Sequence, residues 1–321
     1  MVSNDQLSTS KAIQRRTGKT FHVATRVLPE RVRHPTYVLY AFFRLADEVV
    51  DDPGDRTPEE QRERLAEIRE AALGRRETDD PVLDAFDEVR RRHGIPDREV
   101  ESFVDAMATD VDTDRYRTHE ELSEYMRGSA AAVGNMMTAV MGTEDPERAR
   151  PHAEALGEAF QLTNFLRDVR EDVVERDRIY LPRESLAAQD VPVGEVEDLE
   201  MSRRFRDLMQ SELRRTEDRY REGVAGIKYL PEDCQFAVLV SAVLYAEHHR
   251  LIRARDYDVL SETPELSMAR RIYLVARTRL AWFFNKDPEA VFESVSAIPT
   301  GEDTSSIEGH EGGQAYPSPS T

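Results

Sequence analysis

Two runs of the sequence place carboxylates where they could act together. From Tyr40 to Asp52, the residues Tyr40, Arg44, Asp47 and Asp51 fall at offsets 0, 4, 7 and 11, which is one continuous stripe on a helix. From Phe160 to Asp172, the residues Gln161, Asn164, Asp168 and Asp172 fall at offsets 0, 3, 7 and 11. This second stripe also ends in two acids four apart, which point the same way on a helix. Brought together, the two pairs would present eight carboxylate oxygens. Such hard ligands suit Mg²⁺ or Mn²⁺, and Mg²⁺ usually binds through a few carboxylates plus substrate phosphates. A single Asp-x-x-x-Asp arises by chance in an acidic chain. Two, each on a mostly apolar run and each preceded by Tyr/Arg or Gln/Asn on the same face, are much harder to assign to chance.

Other chemistries lack their parts. No histidine has Glu three residues before it, as a di-iron bundle would need. There is no His-Glu-x-x-His, Gly-x-Ser-x-Gly, P-loop or Gly-x-Gly-x-x-Gly. With no nucleophile and no obvious base, what remains is electrostatic. Metals held by carboxylates, with arginines nearby, could draw diphosphate off an allylic substrate. The cation left behind needs a dry, aromatic-lined, otherwise inert pocket.

The elements that carry these residues read as helices. In the first run the positions off the stripe (Leu39, Phe42, Phe43, Leu45, Ala46, Val49, Val50) are apolar, so the helix is buried over most of its circumference. Its one polar line faces either water or an internal cavity. Asp47, Glu48, Asp51 and Asp52 crowd its carboxyl end before Pro53-Gly54 stops it. Acids there oppose the helix dipole, each at a cost of a few tenths to about 1 kcal/mol unless a cation offsets them. Helical patterning continues from about residue 15 to 296. Asp80-Pro81 opens a segment to Gly94, and Pro96 opens Glu99–Asp112. A capping box at Thr118–Glu121 starts a long segment to Met141, closed by Gly142. A second long segment runs from Asp145-Pro146 to about Glu175. Ser202–Gly223 reads as a charged helix with a solvated face (Arg203, Arg204, Arg206, Glu212, Arg214, Arg215). Pro231 opens an apolar segment to Asp256, and Pro264–Phe284 is the last long one. The expectation is a single all-α domain over 15–296, a flexible segment 1–14, and a Gly/Ser/Glu/Pro-rich disordered tail 297–321.

Composition narrows the function. The 321 residues include 63 acids against 44 bases, a formal net charge of -19, and only Lys11, Lys19, Lys228 and Lys286 as lysines. That balance suits a halophile's need to stay hydrated in concentrated salt; a GC-rich genome with an acidic surface would also produce it. It argues against general nucleic-acid binding, which depends on neutralising phosphates. Cys234 stands alone, excluding an internal disulfide or a thiolate metal site, and reads as a small core residue. No amino-terminal stretch resembles a signal peptide. The longest apolar run, about Phe236–Ala246, falls short of the roughly 20 residues that span a bilayer. A cytoplasmic protein is expected.

Taken together, Tyr40-x-Phe-x-Arg-x-x-Asp-Glu-x-x-Asp51 and Ala159-Phe-Gln-Leu-Thr-Asn-Phe-Leu-Arg-Asp168, with Glu171-Asp172 and Arg178-Ile-Tyr-Leu-Pro182, resemble the aspartate-rich motifs of the squalene/phytoene synthase family. Gly18-Lys19-Thr20-Phe21, Tyr125 through Gly134, and Tyr245 within Ser241–Glu247 are similar too. The resemblance covers roughly 15–285. It implies an isoprenoid-synthase helical bundle around a central cavity and a prenyltransferase activity. Asp47, Asp51, Asp168 and Asp172 would hold Mg²⁺ (or Mn²⁺) against diphosphate, with Asn164 and Gln161 supporting them. Arg44 and Arg167 would contact diphosphate, with Lys19, Arg270 and Arg271 as weaker candidates. Phe21, Tyr40 and Tyr245 would line the cation pocket. The implied reaction is head-to-head condensation of two geranylgeranyl diphosphates through prephytoene diphosphate to phytoene, in carotenoid biosynthesis, without a nicotinamide cofactor. Squalene or dehydrosqualene formation from farnesyl diphosphate is the nearest alternative. A chain-elongating prenyltransferase and a non-catalytic helical scaffold are more distant ones. Downstream carotenoid enzymes are the implied partners. Greasy substrate and product are compatible with peripheral membrane contact, although no amphipathic anchor stands out. Three departures stand in the motifs: Gly18 where many relatives have serine, Arg127 where a second tyrosine is expected near Tyr125, and a loop Val173–Arg178 one residue longer than usual.

Overall fold

In the computed structural model, which describes residues 25–299, every regular element is helical, and the only β contact is an isolated Arg115–Ile179 bridge. The first half contains α1 (Glu30–Asp51), α2 (Pro58–Ala72), α3 (Pro81–His93), α4 (Asp97–Thr109) and α5 (His119–Met126). A π-helical turn, Arg127–Ala131, then leads directly into α6 (Ala132–Met141). The second half contains α7 (Pro146–Arg167), α8 (Val169–Arg176), the short α9 (Arg183–Ala188) and α10 (Val193–Glu197), α11 (Arg203–Val224), α12 (Glu232–Ala254), α13 (Met268–Phe284) and α14 (Pro288–Val295).

Local sequence sets most of these boundaries. Thr57 accepts a hydrogen bond from the Glu60 amide while the Glu60 carboxylate accepts one from the Thr57 amide, a complete capping box ahead of Pro58. Asp80, Asp145, Ser202, Ser267 and Asp287 cap other helices by the same means. Gly94 and Gly142 end α3 and α6 in the left-handed conformation. On α1 the apolar positions are buried: Leu39, Ala41, Phe42 and Ala46 have no exposed surface. Phe42 stacks on Phe86 of α3 at 3.9 Å, and Phe43 meets Phe103 of α4 at 4.9 Å.

Four expectations are corrected. The Thr118 box is only half formed: its hydroxyl accepts from the Glu121 amide, but the Glu121 carboxylate accepts from the Arg117 amide instead. The long segment expected to reach Glu175 breaks at Asp168, which caps the end of α7 and the start of α8. There the Asp168 carboxylate is gripped by adjacent Arg167, with Nε to Oδ1 at 2.7 Å. At the break Asp168 takes φ -100° and ψ 16°, away from helical values. Glu212 is buried rather than solvated, with a carboxylate oxygen 3.6 Å from His119 Nε2. Packing also extends past residue 297, since Ile298 is buried in the core of the second half.

The small-residue run 128–134 has two structural uses. Gly128 and Gly134 let helices touch, while Ser129, Ala130 and Val133 line the central cavity. A Cβ on Gly134 would stand 2.4 Å from the Ala153 carbonyl oxygen of α7. Backbone cannot yield as a flexible side chain does. Gly134→Ala is therefore expected to lower unfolding stability by about 1–3 kcal/mol, the usual cost of overpacking, measured by denaturant titration. An unchanged midpoint would contradict the close approach.

Candidate active site

A cavity of about 910 Å³ opens between the two halves, and each acidic stripe forms one of its walls. α1 supplies Tyr40, Arg44, Asp47 and Asp51; α7 and α8 supply Gln161, Asn164, Arg167, Asp168 and Asp172; α12 adds Tyr245. The polar line of α1 thus faces a cavity rather than bulk water. The break at Asp168 does not separate the second stripe, because the Asp172 amide still donates to the Asp168 carbonyl at 2.8 Å. Arg271 also lines the cavity, whereas Arg270 turns aside to buried Glu247, Nε to Oε1 2.9 Å. Lys19 and Phe21 lie outside the described residues.

Arginines offset the acids. Arg44 Nη1 lies 3.3 Å from Asp47 Oδ2, and Arg167 holds Asp168. Arg176 spans the gap between the stripes, 3.6 Å from Asp51 Oδ1 and 3.1 Å from Asp172 Oδ1. Arg178 reaches Asp51 Oδ1 at 3.3 Å and donates to the Asp110 carbonyl oxygen at 2.9 Å. These two are the cations that α1 needs at its carboxyl end. Even so, burial pushes Asp47 and Asp172 up to about 7, against the pull of Arg44 and Arg176. The pair therefore carries less negative charge than its formal count until more positive charge arrives. Among the described residues, no three Asp, Glu, His or Cys side chains surround a single point. The acids share a cavity but do not form a closed coordination shell.

Several residues of this site escaped the stripe argument. Asp110, at the end of α4, accepts a hydrogen bond from the Tyr125 hydroxyl at 2.8 Å, and burial pushes its carboxyl up to about 7. Tyr180 stacks on Phe165 at 3.8 Å and lies 6.0 Å from Tyr125. The loop after α8 turns at Asp177, in the left-handed conformation, and presents Tyr180 to the cavity. Arg127 is exposed and takes no part. His248, beside Tyr245, is pushed down to about 3 by burial and so stays neutral. A signal existed for Arg176, which stands four residues after Asp172, the spacing of a helical ion pair. None existed for Asp110, which only the tertiary fold brings near.

Away from the acids the lining changes character. Phe43, Phe103, Met107, Val133 and Phe160 form an apolar depth, with Phe160 stacked on Tyr245 at 4.4 Å. Four buried polar atoms on the lining have no hydrogen-bond partner among the described residues: Arg44 Nε, Arg271 Nε, Asp110 Oδ1 and Ser129 Oγ. Two of these are guanidinium donors, so the polar end retains capacity for an anion.

Asp110 gives a test of this electrostatic reading. Its folded value of about 7 lies above the roughly 3.9 of an unfolded aspartate. The folded chain therefore holds the proton more tightly, and the stability this contributes is full below about pH 4 and lost as pH rises to about 7. Asp110→Asn removes that contribution. Between pH 4.5 and 7.5, without metal, the variant should lose less unfolding stability than the parent in denaturant titrations. Parallel pH profiles would show that the carboxyl is not held protonated.

Comparison with known proteins gives the arrangement a lineage. Residues 14–270 match the squalene/phytoene synthase family profile, a span containing both acidic stripes. The phytoene synthase of Thermus thermophilus is 34% identical over 275 residues, 84% of this chain and 91% of that protein. That of Rhodobacter capsulatus is 28% identical over 285 residues, covering 88% and 83%. A solved dehydrosqualene synthase superposes with a TM-score of 0.78 at 26% identity, covering 88% of this chain and 98% of its own. The squalene synthase HpnC of Alicyclobacillus acidocaldarius, at 22% identity and a TM-score of 0.71, shares the fold over 79% of this chain and 95% of its own. A family match through both walls of the cavity, on a helical frame common to these enzymes, means that this chain belongs to the squalene/phytoene synthase family.

Proposed function

We propose that this protein is a phytoene synthase, joining two geranylgeranyl diphosphates head to head. The observation that carries the reading is a single cavity with two facing acidic stripes at one end and an aromatic depth at the other, in a chain 34% identical to a phytoene synthase. The condensation forms prephytoene diphosphate and releases one diphosphate and one proton. Ionisation of that intermediate releases the remaining diphosphate, and the rearranged cation sheds a proton, giving phytoene without reduction.

Divalent cations, Mg²⁺ first, fit the donor set: four aspartates with Asn164 beside them, all hard oxygen ligands. When bound, such a cation neutralises charge on the diphosphate as it leaves. The protein supplies the rest. Arg44 and Arg167 stand on opposite walls and are placed to take diphosphate oxygens, with Arg271 as a third guanidinium. Gln161 and Asn164 orient the polar end. Tyr40, Tyr245 and Phe160 offer aromatic rings whose π-clouds attract an allylic cation. The apolar depth excludes water, which would quench that cation to an alcohol.

Incubation of the purified protein with Mg²⁺ and either geranylgeranyl or farnesyl diphosphate, with and without NADPH, is expected to yield phytoene from the longer substrate alone. The likeness to a solved dehydrosqualene synthase gives the farnesyl reading specific support, and dehydrosqualene or squalene as the sole product would replace our assignment. Asp51→Asn and Asp172→Asn should each lower turnover at least 100-fold, while circular dichroism keeps its helical signature. Retained turnover in either variant would remove that carboxylate from the machinery. Added Mg²⁺ should also raise the unfolding midpoint of the parent, and more at pH 8 than at pH 5.5, because the ligands must lose protons to bind it.

A further inference from the structure

Among the described residues seven large hydrophobic side chains are exposed, and six of them lie on α13: Met268, Ile272, Tyr273, Leu280, Phe283 and Phe284. Phe283 and Phe284 are 72% and 78% exposed. Helical spacing gathers them, since Ile272, Ala276, Leu280 and Phe283 follow at steps of four, four and three. The opposite face is also apolar but spent, for Leu274, Thr278 and Trp282 are buried against the neighbouring helices. A helix apolar on both faces while packed on only one leaves a surface unaccounted for.

Charge on this helix runs against the chain. The protein carries -19 overall, yet residues 268–286 contain Arg270, Arg271, Arg277, Arg279 and Lys286 and no acid. Arg277 donates to the Ser294 carbonyl, while Arg279 and Lys286 lie over the Phe236 and Trp282 rings. None of these three has a carboxylate partner among the described residues. The surface is also continuous with the cavity. Met268 is 55% exposed and at the same time part of the cavity lining, with Arg271 beside it.

We infer that the exposed face of α13 docks on the surface of an anionic lipid bilayer, so that the cavity mouth at Met268 opens against the membrane. An apolar face rimmed by cationic side chains matches acyl chains beneath anionic headgroups. The other occupants fit less well. A second copy of this chain would set two basic rims against each other. Residues 1–24 carry four basic residues and one acid, so they bring like charge. Residues 300–321 carry four acids, but only Ile307 and Tyr316 as large apolar side chains to cover six. The proposed function gives the docking its use, since a long hydrocarbon product would pass from the depth into lipid without crossing water. Docking itself is measured without substrate, so each reading can fail alone.

The test is co-flotation of the full chain with vesicles of 3:1 phosphatidylcholine to phosphatidylglycerol, and with pure phosphatidylcholine. Binding is expected on the anionic vesicles, weaker by severalfold on neutral ones and at raised salt. Ile272→Gln, Leu280→Gln, Phe283→Gln and Phe284→Gln together should cut partitioning at least tenfold, with helical circular dichroism and turnover in detergent micelles unchanged. Exchanging Arg277, Arg279 and Lys286 for Gln should remove only the preference for anionic vesicles. No flotation of the parent, or flotation unaffected by the fourfold variant, would overturn the inference. So would a dimer seen by light scattering that the fourfold variant dissolves. If binding appears only after truncation following Pro299, the tail is the occupant and the inference also fails.

Discussion

Everything at the polar end of this molecule depends on keeping several carboxylates ionisable inside a protein. Asp47 and Asp51 end one helix; Asp168 and Asp172 flank a break in another; Asp110 closes a third. Burial holds Asp47, Asp110 and Asp172 up to about 7. Arginine is the counterweight. Its guanidinium stays charged when buried and binds several acceptors from one plane, as a lysine ammonium cannot. Arg176 and Arg178 each use that capacity to join Asp51 to a second element, Asp172 of α8 and the Asp110 carbonyl of α4. The same contacts that make the charges tolerable therefore also fix the two walls of the cavity relative to each other.

The apolar end depends on the opposite requirement, that nothing there should react. Its walls are aromatic rings and small residues brought close by backbone geometry rather than by polar contacts. The π-helical turn 127–131 adds a residue to the helix just where Ser129 and Ala130 meet the cavity. Gly128 lets the turn pack against α4, since a Cβ there would stand 2.2 Å from the Ser102 carbonyl oxygen. π-turns persist where a function compensates for their poorer hydrogen bonding. Here the residues that the turn presents to the lining, Ser129 and Ala130, are small.

The sequence made the stripes legible because helical periodicity is local: Asp47 with Asp51, and Asp168 with Asp172, need only the spacing of one helix. The all-α class and most helix boundaries were legible through Pro, Gly and capping residues for the same reason. What stayed hidden was non-local. Asp110 enters the site only because α4 ends beside Arg178, and Tyr180 only because the loop turns at Asp177. The Asp168 break was hidden because no Pro or Gly marks it and helix-forming residues flank it on both sides. The exposed face of α13 was missed because alternation of core and solvent cannot be read from a helix apolar on both sides.

The ion pairs also constrain how such a site can be filled. Arg44 with Asp47, Arg167 with Asp168, and Arg176 between Asp51 and Asp172 pair the acids of the cavity with arginines, while buried Arg271 has no ion pair among the described residues. In the proposed reading, aspartates that held a divalent cation would leave these guanidinium groups free to take the anionic oxygens of a diphosphate. Arrival of the cation alone would strand buried arginines, and arrival of the diphosphate alone would set it against the aspartates. Each unpaired buried charge costs several kcal/mol, so the two ligands should bind with mutual reinforcement. Once diphosphate has left, the arginines would close back onto the aspartates. The charges of the polar end would then again be compensated by the protein's own ion pairs.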